Sequence, residues 1–152
     1  MTAASDIAAT HELVVTRVID APRALVFRAW TRPEHIARWW GPQGFTTFHC
    51  DMDVRVGGSY RFGMRSPEGT VHWKRGKYRE IVEPERIAFT FALEDGNPGR
   101  ELLTTVTFAE HGTKTRLTLR QAGFDAIAQR DDHVTGWTSC LERFAEYMTI
   151  AA

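Results

Sequence analysis

Cysteine is scarce in this chain: of 152 residues only Cys50 and Cys140 are cysteines, far apart and in no CxxC arrangement. That placement argues against a disulfide framework or a thiolate zinc site. Both are expected to be reduced packing residues, since a free cysteine behaves as a small hydrophobe. Net charge is missing too, because 19 basic residues balance 19 acidic ones. The general electrostatic case for nucleic acid or an anionic membrane falls away, and neither is expected as a partner without a local patch. Nowhere do about 18 uncharged apolar residues follow one another, so no membrane insertion is expected. The first ten residues, MTAASDIAAT, lack the basic start and apolar run of a leader. Residues 1–10 are expected to be a flexible lead-in to a single domain over 11–152, located in the cytoplasm. Catalytic signatures are absent as well: no GxSxG elbow, no phosphate loop, no GxGxxG after a strand, no HExxH. The six histidines are scattered, with no pair at helical i, i+4 spacing. No metal, no cofactor and no catalytic set is therefore expected.

What is present is alternation, and then a change of period. The segment Glu12–Asp20 is rich in β-branched residues and runs into Ala21-Pro22, which predicts a strand passing into a short helix over Ala24–Trp30. A second short helix starts around Thr31 or Pro33 and stops at Gly41-Pro42. Strands are then predicted over Thr46–Met52, Ser59–Arg65, Thr70–Val82, Arg86–Leu93, Leu102–Glu110 and Thr113–Gln121, with turn residues between them and a loop over Glu94–Gly99. From Asp125 the period becomes helical, and Val134, Trp137, Leu141, Phe144 and Met148 form one apolar stripe. Asp131 and Asp132 are placed near the positive end of that helix. Gly136, inside it, reads either as a close approach to the sheet or as simple tolerance. An antiparallel sheet with one apolar face and a helix with a matching stripe must meet, which gives an α+β fold.

Nine Phe, five Trp and three Tyr make a heavy aromatic load. Close-packed core explains most of them, although rigid walls with a few polar tips also describe a small-molecule cavity. A basic run from Arg55 to Arg79 holds Arg61, Arg65 and Lys74 against Glu68 alone. It reads as a solvated outer sheet face, or as a docking face for an acidic protein through Arg61, Arg65 and Lys74. In the strand Thr70–Val82, Trp73 and Tyr78 have opposite parity, and a bulge near Gly76 would let both face inward. With Tyr78 inside, Glu80 would be inside too, as a polar group of the cavity with a raised pKa; otherwise it lies at a rim or pairs with an exposed Arg.

Several stretches together resemble the SRPBCC or START-like superfamily, in the AHSA1-like branch related to the C-terminal domain of an Hsp90 ATPase activator. They are Arg17 with Asp20-Ala21-Pro22, Ala29-Trp30-Thr31, Trp39-Trp40-Gly41-Pro42, Val56-Gly57-Gly58-Ser59-Tyr60-Arg61, Gly76-Lys77-Tyr78-Arg79-Glu80-Ile81, Pro84-Glu85-Arg86-Ile87, Thr115-Arg116-Leu117 and Gly136-Trp137. The resemblance covers residues 11 to 150. It implies a helix-grip (START-like, Bet v 1-like) fold, in which a curved antiparallel sheet of six to seven strands wraps a long C-terminal helix and leaves a cavity for a small hydrophobic molecule. The cavity positions it implies are Trp39 and Trp40 at the entrance, Phe48, Met52, Tyr60, Phe62 and Met64 on the sheet, and His133, Trp137 and Leu141 on the helix. Tyr78, Glu80 and Phe89 complete the candidate lining. Non-catalytic ligand binding is the leading expectation. A partner-binding, co-chaperone-like module is an alternative, and so is a small cyclase or hydrolase acting on a hydrophobic or polyketide-like substrate, with His133 and Glu80 as its acid–base pair. The chain is expected as a monomer or a homodimer.

Overall fold

The computed structural model describes residues 11–94 and 101–151. The lead-in expected over 1–10, and most of the loop expected over Glu94–Gly99, lie outside the described residues. Among the described residues there are seven strands: β1 (His11–Ile19), β2 (Thr46–Met52), β3 (Ser59–Arg65), β4 (Val71–Val82), β5 (Arg86–Leu93), β6 (Leu102–His111) and β7 (Lys114–Phe124). They form one antiparallel sheet in the order β1-β7-β6-β5-β4-β3-β2. Two short helices, α1 (Arg23–Thr31) and α2 (Pro33–Trp39), follow β1, and the long helix α3 (Ile127–Ala151) closes the fold. This is the helix-grip architecture: a curved sheet around a C-terminal helix.

The chain reaches that arrangement by local rules. Helix α2 begins with Pro33 in its first turn, where the missing N–H has no intrahelical partner to lose. It ends because Trp40 is extended, with φ −65° and ψ 137°, and because Gly41 takes φ +98°, a conformation that side chains with a Cβ seldom adopt. Helix α3 starts at Ile127, two residues later than the periodicity suggests, which puts Asp131 and Asp132 in its second turn, nearer its positive end than a start at Asp125 would. Its stripe of Trp137, Leu141, Phe144 and Met148 is buried against the sheet. Among the described residues no helix is long and apolar enough to cross a membrane.

Two bulges decide which side chains reach the concave face. In β2, Thr47 opposes Met64 and His49 opposes Gly63, so Phe48 is the extra residue. Phe48 and His49 both turn outward onto Trp73, with ring centroids 5.4 Å away in each case. In β4, Tyr78 opposes Phe89 and Glu80 opposes Ala88, which makes Arg79 the extra residue. The bulge expected at Gly76 is therefore three residues further along, and its consequence is the reverse of the expectation. Parity runs unbroken from Trp73, outside, to Tyr78, inside, and Glu80 then stands outside. Gly76 instead makes room for its neighbours. A Cβ there would lie 1.9 Å from the Thr90 carbonyl oxygen and 2.7 Å from the Tyr60 ring. The Tyr60 hydroxyl passes this gap to donate to Thr90 O at 2.6 Å.

Candidate functional site

The same unbroken parity brings Lys74 inward. It opposes Phe62 in the β3–β4 ladder, and its Nζ lies 4.8 Å from the centroid of Phe91. This overturns the outward placement of Lys74 beside Arg61 and Arg65. Those two remain outside, Arg61 stacked 3.8 Å over Trp73 and paired with Glu94, Arg65 over Phe48.

Facing Lys74 across the interior is the first half of α3. Between them lies a cavity of about 120 Å³. Its walls are Trp40, Met64, Phe91 and Trp137, with Gly41 and Pro42 along one side and Cys140 within it; Lys74, Asp132 and His133 form its polar part. Gly136 lines it as well, and a Cβ built there meets nothing within 4 Å. That glycine is therefore not a close approach to the sheet. It leaves space.

The wall formed by Trp40-Gly41-Pro42 is fastened to α3 by one side chain. Arg143 Nη1 donates to Trp40 O at 3.2 Å, Gly41 O at 3.5 Å and Pro42 O at 3.3 Å. Gln43 N adds a bond to Ser139 Oγ, and His35 Nδ1 lies 2.6 Å from the Tyr147 hydroxyl. The adjacent tryptophans divide their work. Trp39 has no exposed surface, packs on Phe144 with centroids 4.5 Å apart, and donates its Nε1–H to Ala29 O. Trp40 faces the cavity and meets Trp137 edge-on at 5.5 Å.

On the helix side, Gln121 of β7 sets the orientation of the polar groups. It is fully buried, accepts from Trp137 Nε1–H at 3.0 Å through Oε1, and donates through Nε2 to Thr104 Oγ1. An indole nitrogen can only donate, so the amide's oxygen must face it. His133 Nδ1 lies 3.0 Å from the same oxygen and must therefore carry a proton, which makes Nε2 the unprotonated nitrogen of the neutral ring. Burial pushes the His133 pKa from 6.5 down to about 4, with Lys74 acting in the same direction and Asp132 opposing. The ring is neutral at physiological pH. The Cys140 thiol is pushed up by burial to about 11, and that of Cys50, half-buried on β2, to about 12, so neither is a thiolate nucleophile near neutrality.

The candidate residues fall into three groups. Trp40, Met64, His133 and Trp137 come together at the cavity. Tyr60, Phe62, Tyr78 and Phe89 sit deeper, around a void of only about 10 Å³ that Trp30, Ile36, Trp40 and Ile87 close off. Tyr60 and Tyr78 titrate far above the ordinary tyrosine range because they are buried. Trp39, Met52 and Leu141 belong to the core or its margin and line neither space. Phe48 is 45% exposed on the outer face, put there by the β2 bulge. Glu80 pairs with Arg86 at 2.7 Å on that face too, and the guanidinium lowers its pKa rather than raising it. An acid–base pair of His133 and Glu80 is thereby ruled out, since the sheet stands between them.

Sequence reasoning missed Gln121, Lys74 and Arg143. The first two were available in principle: Gln121 continues the inward alternation of Thr115, Leu117 and Leu119, and Lys74 shares parity with Tyr78. Arg143 carried no sequence signal. Among the described residues no group of three His, Cys, Asp or Glu side chains is arranged to hold a metal ion.

Comparison with known proteins bears on the whole chain. Residues 20–149 match the family model of Activator of Hsp90 ATPase homolog 1-like proteins. Among solved structures, protein CV1439 from Chromobacterium violaceum is 31% identical over 90% of this chain and 96% of its own, with a TM-score of 0.78. The AHSA1 protein from Silicibacter pomeroyi shares the fold with a TM-score of 0.84 at 22% identity, covering 93% of this chain and all (100%) of that one. A protein from Rhizobium leguminosarum is 27% identical, with a TM-score of 0.74 over 92% of this chain and 95% of its own. No curated protein matches. With its family model spanning nearly the full fold and a relative above 30% identity, the chain belongs to the Activator of Hsp90 ATPase homolog 1-like family.

Proposed function

We propose that this protein binds a small, largely apolar molecule in the cavity between the sheet and α3, without performing chemistry on it. The observation that carries this reading is a space of about 120 Å³ walled by Trp40, Phe91 and Trp137 and left open by Gly136. Protein interiors are close-packed, and an opening of this size beside a helix glycine is a departure that packing does not require. Its size also limits the occupant. Pockets for drug-sized ligands hold about 300–1,000 Å³, whereas an engineered apolar cavity of about 150 Å³ takes benzene. A molecule built on a single ring fits; a sterol or an extended lipid does not. The separation of Glu80 from His133, and thiols held protonated by burial, support binding rather than turnover.

A docking role on the outer sheet face, in the sense of the family name, has less support. Lys74 is not on that face, and Arg61 and Arg65 are engaged by Glu94, Trp73 and Phe48.

Titration with benzyl alcohol, followed by the fluorescence of Trp40 and Trp137 and by amide shifts in NMR spectra, tests this reading. Saturable binding is expected, with shifts centred on residues 132–140 and on the Trp40–Pro42 wall. In Gly136→Leu, whose side chain would fill the space, binding should disappear while the helix stays intact, since Leu is a strong helix former. Failure of the wild-type protein to bind benzyl alcohol saturably would overturn the reading.

A further inference from the structure

We propose that the occupant is a small monocyclic aromatic carboxylate, its ring in the corner formed by Trp40 and Trp137 and its carboxylate on the Lys74 ammonium. This rests on the binding reading above and adds to it the charge of the ligand. The starting point is position. Lysine side chains are seldom placed on the inner face of a central strand. Lys74 is nevertheless on that face, opposite Phe62, and its Nζ sits over Phe91 at one side of the cavity.

The electrostatic surroundings agree with an anion. Lys74 opposes protonation of His133 more strongly than Asp132 favours it, and Lys74 and Arg143 both act on Cys140 in the direction that favours negative charge. Asp132 is the acidic group at the cavity, and it is exposed, where solvent screens it. His133 contributes no positive charge of its own, since its Nδ1–H is committed to Gln121 and the ring is neutral. An ammonium has three N–H donors, so a carboxylate can be added to whatever Lys74 already contacts.

The walls select the rest of the molecule. Trp40 and Trp137 stand at 90° to one another, and Phe91 is tilted by 53° against Trp137. A flat ring entering this corner meets one indole face-on and the other edge-on, the two favoured aromatic geometries. The volume admits one ring and leaves no room for a second.

The experiment compares benzoate with benzyl alcohol, its neutral near-isostere, by calorimetry and NMR on the wild type, Lys74→Met and Gly136→Leu. In the wild type benzoate should bind about tenfold more tightly than benzyl alcohol, the range expected for a charge-assisted hydrogen bond. Lys74→Met should lose that preference while benzyl alcohol affinity stays within about twofold, which also shows that the variant is folded with its cavity intact. Gly136→Leu should bind neither compound. Equal affinity for the two compounds in the wild type, or unchanged benzoate binding in Lys74→Met, would overturn the carboxylate assignment and leave the cavity reading standing. If the wild type binds neither, the cavity reading itself fails, and the carboxylate with it.

Discussion

The layer between sheet and helix has two ends that differ in how they are filled. Beside the second half of α3, Trp30, Trp39 and Phe144 interlock with centroid separations of 4.7, 4.5 and 5.9 Å, and the space beyond them shrinks to about 10 Å³. Beside the first half, Trp40, Phe91 and Trp137 surround about 120 Å³ and polar groups take part in the wall. The residue types are the same at both ends. What differs is that one end offers its rings a continuous set of neighbours, and the other has Gly136 where a side chain would complete the packing. Adjacent tryptophans fall on either side of this divide because α2 ends between them: Trp39 is its last helical residue and Trp40 its extended cap.

The largest effect should come from breaking the closed end. Trp39→Ala removes a fully buried indole and its bond to Ala29 O, and a loss of about 3–5 kcal/mol is expected in urea denaturation. Trp40→Ala should cost less, because the space it vacates joins a cavity that is already open, yet it should abolish benzyl alcohol binding. Equal stability losses with binding unchanged in Trp40→Ala would erase the distinction between the two ends.

The next effect concerns the buried amide that organises the open end. Gln121→Leu keeps the volume but leaves the Trp137 and His133 N–H donors without their acceptor. Leaving a buried donor unsatisfied costs about 1–3 kcal/mol, so a loss of about 2–3 kcal/mol is expected, together with a change in Trp137 fluorescence. A stability within experimental error of the wild type would mean that Gln121 orients nothing.

Stability should also depend on pH through His133. Its folded pKa of about 4 lies below the ordinary 6.5, so between these values the unfolded chain takes a proton that the folded chain refuses. Stability contributed by the neutral ring is present above about pH 6.5 and is lost as the pH falls toward 4. The expected loss is about 1–2 kcal/mol, less than the shift alone would give because the ring is partly exposed to screening solvent. Glu80 and Glu94, held low by their arginine partners, lose their own contributions only below the usual carboxylate range. The slope between pH 6.5 and about 5 therefore reports His133. His133→Gln should flatten it, and a slope that persists in that variant would assign the titration to another group.

The contrast between the two ends was partly legible in the sequence. Element order, the α3 stripe and the helix-grip fold follow from period and turn residues, since burial of one face imposes its period on the chain. The cavity lining does not, because a strand's facing is a running count that a single inserted residue inverts. Phe48 went to the wrong face through a bulge with no glycine or proline to mark it, and Glu80 through a bulge placed three residues too early. Lys74 is expected outside only by extension from Arg61 and Arg65, whose alternation on β3 points outward, and the β3–β4 register sets it inside, opposite Phe62. Residues whose facing depends on no count, such as Trp137 on the helix, could be placed from the sequence directly.

The smallest effect is the sharpest test of why the open end is open. Gly136→Ala adds one methyl group in a position where nothing lies within 4 Å, so no neighbour has to move. Alanine in a helix interior is favoured over glycine by up to about 1 kcal/mol, and the variant should be more stable by roughly that amount. The same methyl narrows the cavity, so benzyl alcohol should bind a few-fold more weakly. A substitution that improves the fold while it impairs binding is the signature of a position kept suboptimal for function. If Gly136→Ala gained stability with no loss of affinity, the glycine would be a tolerated irregularity of the helix, and the difference between the two ends would be one of packing alone.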